Sequence, residues 1–336
     1  MIIDIHAHLV APPEFYGYRA SLLASGGYHK GSPAVSDEAL AASAAGNVAI
    51  MDKVGTDVQL LCPRPFHQMQ SQKPDQLVHW WIAANNDLIA RTVELYPNRF
   101  AGVAGLPVCA GSPVTDAIGE LERTVEQLGF VGVSLNPDPY EGKGNSPDMG
   151  NRYWYPLYEK LAELDVPVLV HSSGCENGRE SYSEHFITEE SIAILSMLRS
   201  NVFTDFPTLK IIVAHGGGSV PYQIGRWQAE RLLPSLGGHA DNERFEVALR
   251  RFYFDTVLHH PLSLELLLKT VGADRVLFGT ENPGSGSAFN PATGRNFDDL
   301  RPVIEGFDFL SEQERALIFS ESARKLFPRL KIASNG

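Results

Sequence analysis

The sequence predicts an α/β protein built as a single (β/α)8 TIM barrel over residues 1–336. Eight short apolar runs rich in β-branched residues alternate with stretches of helical periodicity, a pattern typical of parallel β/α units. Histidines or acids follow several of these runs, and the strands of a barrel all end on one face. The length of 336 residues suits one such barrel, and no low-complexity tract or charge block marks a linker.

The predicted strands and helices follow one another along the chain. The strands are residues 2–5, 58–61, 100–105, 130–135, 168–171, 211–214, 252–255 and 276–279. The helices include residues 39–54, 76–94, 114–127, 155–164, 189–199 and 262–271. Four segments rich in Gly, Pro, Ser and Asn follow strands, and they are residues 10–36, 136–152, 172–187 and 282–298. We expect them to be the loops that build the functional face of the barrel.

Composition excludes several classes of function. The net charge of -12 argues against nucleic acid or an anionic membrane as a partner, because both need a basic face. No run of about 18 or more uncharged apolar residues occurs, and no basic and apolar leader precedes the first strand, so we expect a cytoplasmic protein. The three cysteines lack Cys-x-x-Cys spacing, which predicts free thiols. A small anionic substrate stays possible where arginines and histidines gather in one cleft.

The first predicted strand runs directly into two histidines. A strand repeats its side-chain direction every second residue, so His6 and His8 should point the same way. Two neutral imidazoles that converge from a strand end make half of a divalent-metal site. Taken alone, the pair could equally be polar residues that close a strand.

Further potential ligands follow later strands. His171 ends strand five and Glu281 follows strand eight. With His6 and His8 they would hold one ion and leave a position open for water or substrate, as catalytic metal sites require. A single histidine is more often a core or surface residue, but several at strand ends on one barrel face have a geometric reason.

Strands six and seven also end in polar residues. His215 precedes three glycines, which let the backbone approach a ligand closely. It could bind a second metal, act as a general acid or base, orient the substrate, or be incidental to a glycine turn. Asp255 could orient a histidine or cap the following helix through Thr256.

Several side chains could bind carboxylates. Arg64 follows strand two between two prolines, and its planar guanidinium suits a carboxylate. His79 lies beyond it, Tyr182 is expected in the loop after strand five, and Arg295 in the loop after strand eight. For Arg295 an exposed or ion-paired role is the more common one, so Arg64 is the favoured functional residue.

Together these motifs resemble the amidohydrolase superfamily, in the branch that contains aminocarboxymuconate semialdehyde decarboxylase. A similarity to the 4-oxalomesaconate hydratase branch, which acts in aromatic-acid catabolism, runs over nearly the whole chain. The motifs that carry it are Pro63-Arg64-Pro65-Phe66, Leu135-Asn136-Pro137-Asp138-Pro139-Tyr140-Glu141, Arg152-Tyr153-Trp154-Tyr155-Pro156-Leu157-Tyr158-Glu159-Lys160 and His215-Gly216-Gly217-Gly218.

The resemblance implies one divalent ion, zinc, held by His6, His8, His171 and Glu281. Most of the superfamily has an aspartate where Glu281 stands. A longer carboxylate can swing between the ion and the proton of a water, which favours a hydratase over an amidase. No lysine occurs in residues 131–136, so a two-metal centre bridged by a carbamylated lysine is not expected.

The implied activity is that of a metal-dependent lyase, a hydratase that adds water to the C=C bond of 4-oxalomesaconate or a related unsaturated oxo-polycarboxylate. Glu281 would take the water proton, and His215 or Tyr182 would supply a proton to carbon. The residues expected to bind the substrate are Arg64, His79, Asn136 and Arg295. The resemblance also suggests a homodimer or a higher oligomer.

Three other functions remain open at this point. A metal-dependent, non-oxidative decarboxylase of an aromatic or muconate-type acid would use the same barrel and ion. A lactone or amide hydrolase could use the same water for acyl attack. A non-catalytic barrel with a structural ion is disfavoured by the polar loops and by His215, which a closed structural site would not need.

Overall fold

The computed structural model describes residues 1–65, 68–233, 235 and 243–331. Eight parallel strands form one sheet in sequence order. They are β1 (Ile3–His8), β2 (Val58–Cys62), β3 (Phe100–Gly105), β4 (Gly132–Leu135), β5 (Val168–Val170), β6 (Ile211–Val213), β7 (Tyr253–Asp255) and β8 (Val276–Leu277). The predicted (β/α)8 barrel is confirmed, and the largest shift in a strand is that of β1, which continues to His8.

Hydrogen bonds between β1 and the segment that follows β8 close the barrel. The amide of Ile5 donates to the carbonyl of Phe278 at 2.9 Å, and the amide of Glu281 donates to the carbonyl of His6 at 2.7 Å. This closure brings the segment after β8 against the histidines of β1.

A register shift between Asp4 and Ala7 changes the side-chain alternation of β1. Ile3 and Ile5 belong to the same buried apolar cluster as Cys62, yet the Cys62 thiol also contacts His8. A regular strand would send odd and even positions to opposite faces. The irregularity therefore lets β1 direct both apolar side chains and a histidine into the barrel interior.

Helices surround the strands. They are α1 (Pro13–Ser25), α2 (Asp37–Val54), α3 (Gln76–Leu95), α4 (Ile118–Glu122), α5 (Tyr155–Leu164), α6 (Tyr182–Arg199), α7 (Val202–Asp205), α8 (Ile224–Arg231), α9 (Phe245–Leu249), α10 (Pro261–Val271), α11 (Arg301–Glu305), α12 (Glu312–Ala316) and α13 (Ser322–Leu326). All six predicted helices are present, although residues 114–127 form α4 with irregular helical turns on either side. No helix in the described part of the chain is long and apolar enough to cross a membrane.

Three of the predicted loops contain regular structure. Helix α1 lies within residues 10–36, and residues 282–298 include a short antiparallel pair, β9 (Phe289–Asn290) and β10 (Arg295–Asn296). The placement of Tyr182 in a loop is wrong, because Tyr182 is the first residue of α6. Ser181 caps that helix, accepting from the amide of Glu184 while the Glu184 carboxylate accepts from the amide of Ser181.

Candidate metal centre

Four histidine rings meet at the C-terminal end of the barrel. The ring centre of His6 lies 5.2 Å from that of His8 and 4.8 Å from that of His171. The ring centre of His215 lies 4.9 Å from that of His171. The structure therefore brings together the histidines of three strand ends that are far apart in the sequence.

Two of these rings are fixed through Nδ1. His6 donates from Nδ1 to Oδ2 of Asp255 at 2.7 Å, and neither side chain is exposed. His171 Nδ1 donates to the carbonyl of Ser172 at 2.6 Å. A donor bond at Nδ1 leaves the lone pair on Nε2, as in metal-binding histidines. Of the two roles open for Asp255, orienting a histidine is the one observed, since the Thr256 hydroxyl instead donates to the carbonyl of Gly279.

His8 is held by a thiol. Its Nδ1 lies 3.2 Å from Sγ of Cys62, and that thiol is 3.4 Å from the carbonyl of Ala7. Burial raises the pKa of Cys62 to about 12, so the sulfur keeps its hydrogen and directs it to the carbonyl. The His8 Nδ1–H then faces the sulfur, and Nε2 carries the lone pair.

The Nε2 atoms of His6, His8 and His171 are buried and have no hydrogen-bond partner among the residues that the structure describes. Burial lowers the pKa of His8 and that of His171 well below the usual value, which keeps both rings neutral. An unpaired buried polar atom costs about 1–3 kcal/mol. Neutral histidine nitrogens of this kind are donors that a divalent ion accepts in proteins.

Glu281 adds a carboxylate to the rings. Its φ of 59° is in the left-handed region, which non-glycine residues rarely adopt and which marks a functional constraint. Gly284 allows this conformation, because a Cβ there would lie 2.8 Å from Cδ of Glu281. One ligand atom from each of four residues lies within 4.8 Å of the others, and the four are His6, His171, His215 and Glu281. The predicted ligand His8 is not in this group, although its ring adjoins those of His6 and His171.

His215 stands between two carboxylates. Its Nδ1 is 2.9 Å from Oε1 of Glu190, and its Nε2 is 3.5 Å from Oε1 of Glu281. Burial alone would lower the pKa of His215, but the charge and hydrogen bonds of Glu190 raise it well above the usual value. Sequence reasoning missed Glu190. Its signal was an acid on the apolar face of α6, four residues after Phe186, which stacks on the His215 ring.

A cleft of about 290 Å³ opens beside these groups. Its lining includes His8, Arg64, Tyr182, Phe186, Glu281 and Ser285. The structure thus brings predicted Arg64 and Tyr182 to the same cavity as Glu281.

Two neighbours of Glu281 were missed from the sequence. The Ser285 hydroxyl donates to Oε2 of Glu281 at 3.3 Å. Nε2 of His259 lies 3.9 Å from the same oxygen. A histidine placed shortly after β7, on the functional face of the barrel, was the available signal for His259.

The structure does not place the other predicted binding residues in the cleft. His79 lies on α3, and Arg295 lies on β10 with Nη1 3.9 Å from Oδ2 of Asp299; neither is among the described residues that line the cavity. Asn136 is fully buried and uses its amide inside the protein, donating to Gln70 Oε1, the carbonyl of Asp138 and Ser173 Oγ. These hydrogen bonds connect the loops that follow β2, β4 and β5. Phe66, the last residue of one quoted motif, lies outside the described residues.

Comparison with known proteins places these features in context. The amidohydrolase family model matches residues 3–329. The 2-keto-4-carboxy-3-hexenedioate hydratase of Sphingobium sp. is 36% identical and covers 98% of this chain and 97% of that protein. The crystal structure of 4-oxalomesaconate hydratase from Rhodopseudomonas palustris matches with a TM-score of 0.87 at 32% identity, over 98% of this chain and 96% of that one. The gamma-resorcylate decarboxylase of Rhizobium sp. is 29% identical over 72% of this chain and 74% of that protein.

Proposed function

This chain belongs to the amidohydrolase family, and we propose that it is a metal-dependent hydratase acting on 4-oxalomesaconate or a closely related unsaturated oxo-polycarboxylate. The observation that carries the proposal is the place of Glu281, which stands between unpaired histidine nitrogens and a cleft that also holds Arg64. Two hydratases that match over nearly the whole chain support the substrate class.

The residues proposed to hold one divalent ion are His6, His8, His171 and Glu281. Among the described residues, Nε2 of each of the three histidines has no hydrogen-bond partner, whereas both nitrogens of His215 face carboxylates. Nitrogen and oxygen donors in this number suit zinc, which we propose as the native ion. When bound, such an ion acts as a Lewis acid and lowers the pKa of a coordinated water.

The chain's own residues then move the protons. Glu281 accepts a proton from the attacking water, whose oxygen forms a bond to the alkene carbon remote from the keto group. The π electrons shift to the keto oxygen and give an enolate. His215, kept charged by Glu190, returns a proton to the carbon beside the carbonyl, which completes the addition of water. Tyr182, on the cleft wall, is the alternative donor.

Arg64 is proposed to bind a substrate carboxylate through its planar guanidinium. A small polycarboxylate would be held by this contact with the alkene turned toward Glu281, which is how orientation lowers the barrier. We further propose that the chain works in the cytoplasm as a homodimer or a larger homo-oligomer. Analytical ultracentrifugation of the purified protein tests the oligomeric state.

The direct test is incubation of the purified, metal-analysed protein with 4-oxalomesaconate. We expect loss of the conjugated absorbance and a product heavier by one water. Chelation should abolish the reaction, and zinc should restore it. An unchanged substrate in the presence of metal-loaded protein would refute the proposed substrate.

The second candidate is a non-oxidative decarboxylase, which the decarboxylase relative favours. It would use the same residues on an aromatic or muconate-type acid. Release of carbon dioxide, with no water gained by the product, would select this reaction over hydration.

A further inference from the structure

A second group of histidine and carboxylate side chains lies outside the cleft. One ligand atom from each of Asp138, His185 and Glu189 lies within 4.8 Å of the others. Asp138 belongs to the loop after β4, while His185 and Glu189 are four residues apart on α6 and so share one of its faces. All three line a cavity of about 330 Å³.

Helix α6 separates this cavity from the catalytic cleft. Phe186 and Glu190 contact His215, as described above, whereas His185 and Glu189 line the other cavity. Adjacent positions on a helix point about 100° apart, so the two pairs serve two different sites. None of the residues that line this second cavity belongs to the proposed zinc site.

His185 is oriented as a ligand would be. Its side chain is 1% exposed, and Nδ1 lies 2.9 Å from Oε2 of Glu180. Nε2 lies 3.2 Å from Oδ2 of Asp138, but it makes no hydrogen bond of acceptable geometry within residues 1–65, 68–233, 235 and 243–331. A carboxylate on Nδ1 fixes the ring and directs the Nε2 lone pair toward the cavity, as it does in metal sites.

Asp138 is fixed as well. Its side chain is 4% exposed, Oδ1 accepts from the amide of Tyr140 at 3.1 Å, and Oδ2 accepts from the amide of Gly142 at 2.6 Å. Burial, with the charge of Asp138 adding to it, raises the pKa of Glu189 to about 7. Asp138 therefore has a fixed position in the wall of the cavity.

The charge of the cavity lining is strongly negative. Four acids line it, namely Asp138, Asp148, Glu180 and Glu189. No lysine or arginine occurs among the described lining residues. A divalent cation would compensate this charge and accept the lone pair of His185 Nε2, which makes no hydrogen bond within the described part of the chain.

We propose that Asp138, His185 and Glu189 form a second divalent-cation site, with Glu180 as the residue that orients His185. One imidazole and two carboxylates suit a zinc or manganese ion. The bound cation would join the loop after β4 to the first turns of α6. Because Tyr182 begins that helix, the cation would act as a structural support for one wall of the cleft.

The test counts metal ions without using catalysis. Protein that holds one zinc ion per chain, as measured by mass spectrometry, is titrated with Mn²⁺, and the paramagnetic resonance signal of free Mn²⁺ reports how much remains unbound. We expect one additional Mn²⁺ per chain, with the zinc content unchanged by mass spectrometry. H185Q and E189Q should each lose the additional Mn²⁺ and keep the zinc.

E176Q is the matched control, because Glu176 is an exposed acid of the neighbouring loop that pairs with Lys143. It should bind the additional Mn²⁺ like the unaltered chain. If H185Q fails to fold, as judged by circular dichroism, E189Q alone decides the matter. Absence of an additional Mn²⁺ in the unaltered chain would overturn the proposal, as would equal binding by E189Q, and His185 would then serve only as an ion-pair partner of Asp138 and Glu180.

A second readout follows the two loops. Lys143 and Arg179 are exposed trypsin sites in the loops that the cation would hold. Mn²⁺ should slow cleavage at both positions in the unaltered chain and leave it unchanged in E189Q. Cleavage rates that do not change when Mn²⁺ is added to either protein would refute the supporting role of the cation.

Discussion

The groups carried by the strand ends and those carried by the rim differ in how firmly the fold holds them. His6, His171 and Asp255 are fully buried, and each is fixed by a hydrogen bond. Tyr182 is 49% exposed on the wall of an open cleft, and the Arg295 side chain is 36% exposed. The fold therefore holds the buried groups at the strand ends in one position and leaves the side chains of the rim able to adjust. Substitutions should therefore cost most at the barrel end and least at the outer rim.

The largest effect is expected for E281Q. The amide cannot accept the water proton, so kcat should fall by about a thousandfold, within the range of general-base catalysis. Substrate binding should be partly retained, because Arg64 is untouched. Steady-state kinetics with metal analysis measures both, and E176Q is the control for loss of one acid. Near-normal turnover by E281Q would refute the assigned role of Glu281. It would also show that a buried group at the barrel end can be replaced at little cost.

D255N tests how strongly metal binding depends on the Asp255 carboxylate that orients His6. The amide removes the charge that faces His6 Nδ1 at 2.7 Å, so metal affinity should fall by about 10- to 100-fold. Competition with a chromophoric chelator measures the affinity. An unchanged affinity, with an unchanged thermal transition, would mean that burial alone orients the ring.

R64K keeps the positive charge in the cleft and removes the planar guanidinium group of Arg64. We expect KM to rise about tenfold, equivalent to about 1.4 kcal/mol, with a smaller change in kcat. Kinetics of the hydration reaction gives the two constants separately. A fall in kcat with KM unchanged would instead place Arg64 among the groups that act only in the transition state.

The smallest effects are expected for H79A and R295A. Neither residue lines the cleft, and the Arg295 ion pair with Asp299 is long and partly exposed. Because such surface pairs contribute about 0–1 kcal/mol, kcat/KM should change less than about threefold. The same assay, run beside R64K, decides the matter. A tenfold loss in R295A would extend the recognition surface to β10.

Local patterns in the sequence were sufficient to predict the barrel and most of the polar side chains that meet at its C-terminal end. Eight apolar runs predicted eight strands, because burial in a parallel sheet demands continuous apolar segments. Parallel strands end on one face, so His6, His171 and Glu281 could be expected to converge. The start of α6 was missed, although the Ser181 and Glu184 capping box is a local signal for it.

Only the tertiary structure decided which partners these groups meet. The Asp255 carboxylate that holds His6 is 249 residues away, and the Glu190 carboxylate that charges His215 is 25 residues away. The irregularity in β1 likewise depends on its pairing with β2. Periodicity reports which face of an element is buried, whereas contacts between distant elements depend on how those faces pack together. For that reason the sequence determined the types of these side chains and the barrel face on which they meet, and packing decided their orientation and charge.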